Sequence, residues 1–130
     1  MTKRTTDRIS AIRCDAYNDD PLRVARVEHS LPPKQELERT AELLKGLAHP
    51  VRVAIAAALL VEPLCVCELS VLLGMSAPAL MHHLKAMAGA GVLDVRKVGK
   101  FAEYYLADER AKAILDATRK KSAPIGGPCS

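Results

Sequence analysis

The chain has 130 residues, 49% of them hydrophobic and 26% charged, which is enough for one globular domain with its own core and no need of disulfide staples. Its longest apolar run, Val51 to Val61, is interrupted by Arg52 and is too short to span a bilayer, so no membrane partner is expected. A formal net charge of +4 is compatible with a polyanionic partner, although many metabolic enzymes are as basic, and an aromatic content of 3% without Trp argues against base-stacking platforms for single strands, so a polyanionic partner is expected to be duplex DNA.

Residues 1–33 mix charges with the turn-forming Tyr17-Asn18-Asp19-Asp20 and close on Leu31-Pro32-Pro33, the pattern of an arm with a short helix over Pro21 to His29. From Lys34 onward, Leu37, Ala41, Leu44 and Leu47 recur at helical spacing. A second helix is predicted from Pro50 to Val61 through Val53, Ile55, Ala56 and Leu59, with His49-Pro50 suited to its start. After the break at Glu62-Pro63, a short helix over Cys65 to Leu73 ends at Gly74, and Ser76 caps another over Ala77 to Ala88. Short helix, tight glycine turn and helix make a helix-turn-helix pattern.

Beyond Gly91 the period falls from helical to two: Val92, Asp94, Arg96 and Val98 alternate around Leu93, Val95 and Lys97, then Gly99-Lys100 turns the chain into a second strand. A last amphipathic helix, Asp108 to Lys120, carries Ala111, Ile114, Leu115 and Thr118 on one stripe. The predicted fold is mainly α with a β-hairpin wing, a winged helix-turn-helix domain over residues 34–121, preceded by the arm 1–33 and followed by a loose tail 122–130. Residues 31–84 hold four Lys/Arg against five Asp/Glu, whereas residues 85–121 hold nine against five, so the positive excess falls on the hairpin half.

The cysteines Cys14, Cys65, Cys67 and Cys129 are spaced 51, 2 and 62 residues apart without an apolar leader, which is no secreted disulfide framework; a reducing cytosol is expected. Inside a regular helix, residues two apart point about 200° from each other, so Cys65 and Cys67 could not share an ion there. At a helix start they can, and the unpaired amides and positive dipole end favour negatively charged ligands at that place. A buried structural pair is the plain alternative for such a CxC. Adjacent His82 and His83 diverge by about 100° on a helix, which favours DNA-facing or packing roles over a metal pair; His29 and His49 read as surface or turn residues. No glycine-rich phosphate loop, nucleophile elbow or HExxH pattern occurs, so catalysis is not expected.

The segments LLKGLAHPVRVAIAAAL and LCVCELSVLLGMSAPALMHHLKAMAGAGVLDVRKVGKFAEYYL, in this order and at these intervals, resemble the ArsR/SmtB family of bacterial metal-responsive repressors over roughly residues 36 to 120. The resemblance implies a homodimer that binds double-stranded operator DNA without metal and releases it when metal binds. It is strongest to the cadmium- and lead-responsive branch, in which a cysteine of the arm reaches the CVC of the other subunit. That implies Cys14, Cys65 and Cys67 as metal ligands, a soft set suited to Cd(II), Pb(II) or As(III), with Zn(II) if a fourth ligand joins.

Four residues after Cys14, where that branch has another cysteine, this chain has Asn18, so a tetrathiolate is not expected unless Cys129 folds back. Asp15, Asn18, Asp19, Asp20 or Glu68 are candidates for an additional ligand. The family's second site, on the last helix, retains Asp108 but has Arg110, Lys121 and Pro124 at its other positions, and cationic side chains offer no lone pair, so no metal is expected there. Residues Met75 to Met87 resemble the recognition helix, which places Ser76, Ala77, Ala79, Leu80, His82 and His83 nearest the bases. Lys85 and the wing cations Arg96, Lys97 and Lys100 are expected on phosphates. A thiol redox switch on the same cysteines is the runner-up.

Overall fold

The computed structural model describes residues 19–126, with side chains through Arg119. The chain divides into two compact units, Met1–Pro33 and Lys34–Ser130. In the first, helix α1 (Pro21–Ser30) starts at Asp20, whose Oδ1 accepts from the N–H groups of Leu22 at 3.1 Å and Arg23 at 3.3 Å. Leu31, which precedes Pro32, is extended and ends the helix, as steric conflict with the following proline ring requires. Cys14, Asp15 and Asn18 lie outside the described residues, as does Cys129.

In the second unit, α2 (Lys34–Leu47) and α3 (Pro50–Val61) meet at 96° and are followed by β1 (Leu64–Cys65), α4 (Val66–Leu73), α5 (Ala77–Gly89), β2 (Leu93–Val98), β3 (Phe101–Leu106) and α6 (Glu109–Gly126). The sheet order is β1-β3-β2, antiparallel throughout. Helix–turn–helix α4–α5 with the hairpin β2–β3 is the winged helix-turn-helix architecture expected from the order of periods.

The core is apolar and draws on every helix of this unit: Leu43 and Leu47 of α2, Ile55, Ala56 and Leu59 of α3, Leu69 of α4, Leu80, Leu84 and Met87 of α5, and Ala111 and Leu115 of α6. Val92, Leu93 and Leu106 bring in the base of the wing. Each Leu, Ile, Val or Met among them, fully buried, contributes about 1.5–3 kcal/mol relative to exposure. Gly46 lets α2 approach the end of α5: a Cβ there would stand 2.6 Å from Ala90 Cβ and 2.8 Å from Val92 Cγ2. Gly74, with φ 63°, closes α4 in the left-handed conformation that permits the abrupt turn into α5.

Four expectations are corrected. On α2 the buried face is Leu43, Gly46 and Leu47, while Leu37, Ala41 and Leu44 of the anticipated stripe are exposed. Val53 is exposed on α3. Cys65 is the extended cap of α4, as its place at the helix start implies, but the helix itself begins at Val66, and Leu64 and Cys65 pair with β3 as a short strand that was not expected. Helix α6 continues to Gly126, past the Lys120 at which its apolar stripe fades. Among the described residues no single helix is long and apolar enough to cross a membrane.

Candidate thiol site and nucleic-acid interface

The thiol site is built where the chain passes from strand to helix in one step. Leu64 pairs with Tyr104 and Cys65 with Glu103, and at Cys65, with φ −88° and ψ 169°, the backbone turns into α4. Glu68, at the third helical position, closes the turn: its Oε1 accepts from the Cys65 N–H at 3.0 Å, one half of a capping box whose other half is the Cys65 side chain facing the Glu68 backbone. These hydrogen bonds, the backbone one foremost, hold the Glu68 carboxyl below the ordinary carboxylate range against a small opposing effect of burial, so the group is anionic at neutral pH.

Cys65 is half-buried, Cys67 is exposed, and both are free thiols. They open on a recess of about 390 Å³ shared with Glu68, Val98, Phe101 and Glu103, so the wing forms one wall of the site. Cys67 also edges an apolar hollow of about 630 Å³ with Ala58, Val61, Leu64, Val71 and Leu72. The donor set suits a soft cation but is incomplete: among the described residues no three His, Cys, Asp or Glu side chains are placed to hold one ion, and Glu68 is already engaged as a cap. A three-donor site would need a ligand from outside those residues, where Cys14 lies.

Asp108, the retained residue of the other expected position, is taken up by its neighbour. Its Oδ1 accepts from the Arg110 N–H at 2.7 Å, and the Arg110 guanidinium holds both oxygens at 3.3 and 3.0 Å. Hydrogen bonding to Arg110 pulls the Asp108 carboxyl below its usual range, and a cation there would have to displace a guanidinium. The side chains of Lys121 and Pro124 lie outside the described residues.

Helix α5 starts at Ser76, whose hydroxyl accepts from the Ala79 N–H at 3.4 Å, and the Ser70 hydroxyl donates to the Met75 carbonyl, tying α4 to the turn. Leu80, Leu84 and Met87 form its buried face, so Leu80, expected near the bases, is instead wholly buried core and offers nothing to a groove. Ser76, Ala77, Ala79, His82 and Lys85 are exposed. His83 is half-buried beside α3: Arg52 Nε donates to its Nδ1 at 3.2 Å and the His49 ring lies 4.6 Å away. Burial first, then the electrostatic influence of His49, Arg52 and His82, lower the His83 pKa.

On the wing, Lys97 and Lys100 are exposed. Arg96 is turned along the sheet, with its guanidinium 3.6 Å from Glu103 and 5.1 Å from the Tyr105 ring centre. Tyr104 reaches from β3 to α5, its hydroxyl 3.8 Å from Met81 Sδ. Arg52, Glu103 and Tyr104 were not singled out from the sequence. The charge on Arg52 inside an apolar helix was the one available signal, whereas Glu103 and Tyr104 gain their meaning only from strand register.

The profile described as "Bacterial regulatory protein, arsR family" matches residues 49–95, from the start of α3 into β2. The "HTH-type transcriptional repressor SmtB" of Mycobacterium tuberculosis is 40% identical over 87 residues, 66% of this chain and 64% of the repressor. A "Cadmium resistance transcriptional regulatory protein CadC homolog" of Staphylococcus aureus is 33% identical over 97 residues, 72% of this chain and 80% of the homolog. The chain belongs to the ArsR family. As an ArsR-family chain it spans 64% of the length of the SmtB repressors it matches. Among solved structures, HlyU from Vibrio cholerae superposes with a TM-score of 0.64 at 30% identity over 68% of this chain and 96% of its own, and reduced HlyU with 0.63. These relatives are named as transcriptional regulators or share their fold; none is named as an enzyme.

Proposed function

We propose that this ArsR-family chain is a cytoplasmic transcriptional repressor and not an enzyme. As a homodimer it binds operator DNA in the absence of metal and dissociates when a thiophilic heavy-metal ion binds, which derepresses metal resistance or efflux genes. The metal ligands are Cys65 and Cys67 with Cys14 of the partner's arm, and the ion is Cd(II) or Pb(II), with As(III) and Zn(II) as the further candidates. Asp15, Asn18 and Glu68 are candidates for an additional ligand, of which Glu68 would first have to give up the Cys65 amide.

The observation that carries this reading is the pair of free thiols at the start of α4, the helix that leads through Gly74 into the recognition helix, on a backbone paired with the wing. The resemblance to a CadC homolog supports a soft ion. In the DNA complex, Ser76, Ala77, Ala79 and His82 face the major groove, Lys85, Lys97 and Lys100 hold phosphates, and Arg96 reaches a phosphate only in competition with its ion pair to Glu103. When bound, such an ion would supply bonds to the thiolates of Cys65, Cys67 and the partner's Cys14. The protein's part is to hold the two thiols at one helix start and to pass any displacement of that start into α5 and β3.

Cys65→Ser tests the assignment. Serine is at least as good a cap as cysteine, so the variant is expected to fold and bind operator DNA as the wild type does, yet to lose the thiolate-to-metal absorption band and metal-driven release. Metal-driven release that survives in both Cys65→Ser and Cys67→Ser would refute it. A thiol redox switch remains the second reading, supported by the likeness to reduced HlyU and by two accessible thiols. It predicts that an oxidant releases DNA while Cd(II) under reducing conditions does not.

A further inference from the structure

Two side-chain hydrogen bonds among the described residues tie the recognition helix to other elements, Tyr104 of β3 to Met81 Sδ at 3.8 Å and, across 31 residues of sequence, Arg52 Nε of α3 to His83 Nδ1 of α5 at 3.2 Å. Arg52 is itself anchored, its second guanidinium nitrogen 3.5 Å from the Lys45 carbonyl of α2. One residue therefore links three helices. We propose that Arg52 is a positioning residue for operator recognition: by donating to a neutral His83 it fixes the rotation of α5, so that specific binding requires His83 unprotonated. The inference rests on the repressor reading above.

The apolar contacts of Leu80, Leu84 and Met87 decide which face of α5 is buried, but they are non-directional and resist small rotations weakly. A hydrogen bond at the edge of that face is directional. His83 is next to His82 in sequence, about 100° away around the helix, and His82 is exposed on the side assigned to DNA. A rotation that His83 permits is thus a displacement of His82 and Ala79 relative to the base edges.

The protonation requirement follows from atom types. An arginine Nε is always a donor, so Nδ1 of His83 must carry the lone pair and Nε2 the proton. The groups that face His83 are Arg52 and the cap residue His49 from α3, and His82 from its own helix, all cationic or able to become so. His49 uses its Nδ1 to accept from the Val51 N–H at 3.1 Å, which fixes its own tautomer. A proton on His83 would set donor against donor and add a charge among positive neighbours. Burial first, then these same neighbours, lower the His83 pKa, which favours the neutral imidazole that the hydrogen bond needs.

The test is the ratio of affinities for the chain's own promoter fragment and a scrambled duplex of equal length, by fluorescence anisotropy on reduced, metal-free protein at constant ionic strength. Taking the ratio cancels the general gain in DNA attraction that any protonated histidine brings. In the wild type it is expected to be high at about pH 8 and to fall on acidification once His83 takes a proton, on the order of tenfold for the loss of one charge-assisted hydrogen bond. His83→Gln, whose amide oxygen accepts at any pH, should keep the high ratio throughout. Arg52→Ala, with its melting temperature checked, should give the low ratio throughout. A ratio that falls alike in wild type and His83→Gln, or that stays high in Arg52→Ala, would overturn the proposal alone. A wild type that does not prefer its promoter fragment at about pH 8 would overturn the repressor reading and this proposal together.

Discussion

Cys65 of β1 stands directly across the ladder from Glu103 of β3, and Glu103 stands directly across from Arg96 of β2. Directly opposed residues project on the same face of a sheet, so a thiol of the candidate metal site, a carboxylate and a wing cation lie in one row. The row is closed by the 3.6 Å contact between Arg96 and Glu103 and by the recess that Glu103 shares with Cys65 and Cys67. It connects a thiol to a residue assigned to DNA through a single intervening side chain.

Glu103→Gln is therefore expected to act on DNA more than on stability. The ion pair is largely exposed, so its loss costs at most about 1 kcal/mol. With the carboxylate gone, Arg96 is freed for a phosphate. Operator affinity of the metal-free protein should rise a few-fold and the slope of log K against log salt should steepen by about one. An unchanged slope over a salt titration would mean that Arg96 does not reach the backbone.

The Glu68 cap makes a prediction about acid. Its folded pKa is depressed, so its contribution to stability is fully present above the unfolded value and is lost as pH falls through the folded one. Glu68→Ala should melt below the wild type at neutral pH, with the gap closing as pH drops below about 4.5, the ordinary value for the group. Glu68→Gln preserves a capping box without a titrating group, so the gap between Glu68→Gln and Glu68→Ala should stay the same at both pH values while the wild type falls toward them. Thermal melts at two pH values decide it.

How far the sequence could be read depended on the range of the interaction. Helix α3, helix α5 with its Ser76 cap, the Gly74 turn and the hairpin were legible because period and capping are local properties. Strand β1 was not, since two residues carry no period and Leu64-Cys65 become a strand only by meeting Tyr104-Glu103. Leu80 was assigned to the groove because resemblance gives the helix but not its rotation, which is set by packing against α3 and the wing base. The Arg52–His83 bond, 31 residues apart, had no local signature at all. The two thiols were legible as a pair, whereas the wing wall of Val98, Phe101 and Glu103 around them was not.

Helix α2 shows the same limit and gives the last prediction. Leu37 and Leu44 lie seven residues apart, two turns along one face, and are 48% and 46% exposed, while the domain's own core takes the neighbouring Leu43–Leu47 face. A helix with apolar residues on two faces has one face more than a single domain covers, and under the proposed dimer the second is covered by the other protomer. Leu44→Glu puts a charge on that face without touching the core, so circular dichroism should stay native-like. Sedimentation should shift from dimer to monomer, and operator affinity should fall on the order of a hundredfold because the two half-sites no longer bind as one unit. A dimer that persists in Leu44→Glu would place the protomer contact elsewhere and leave this stripe without a role in assembly.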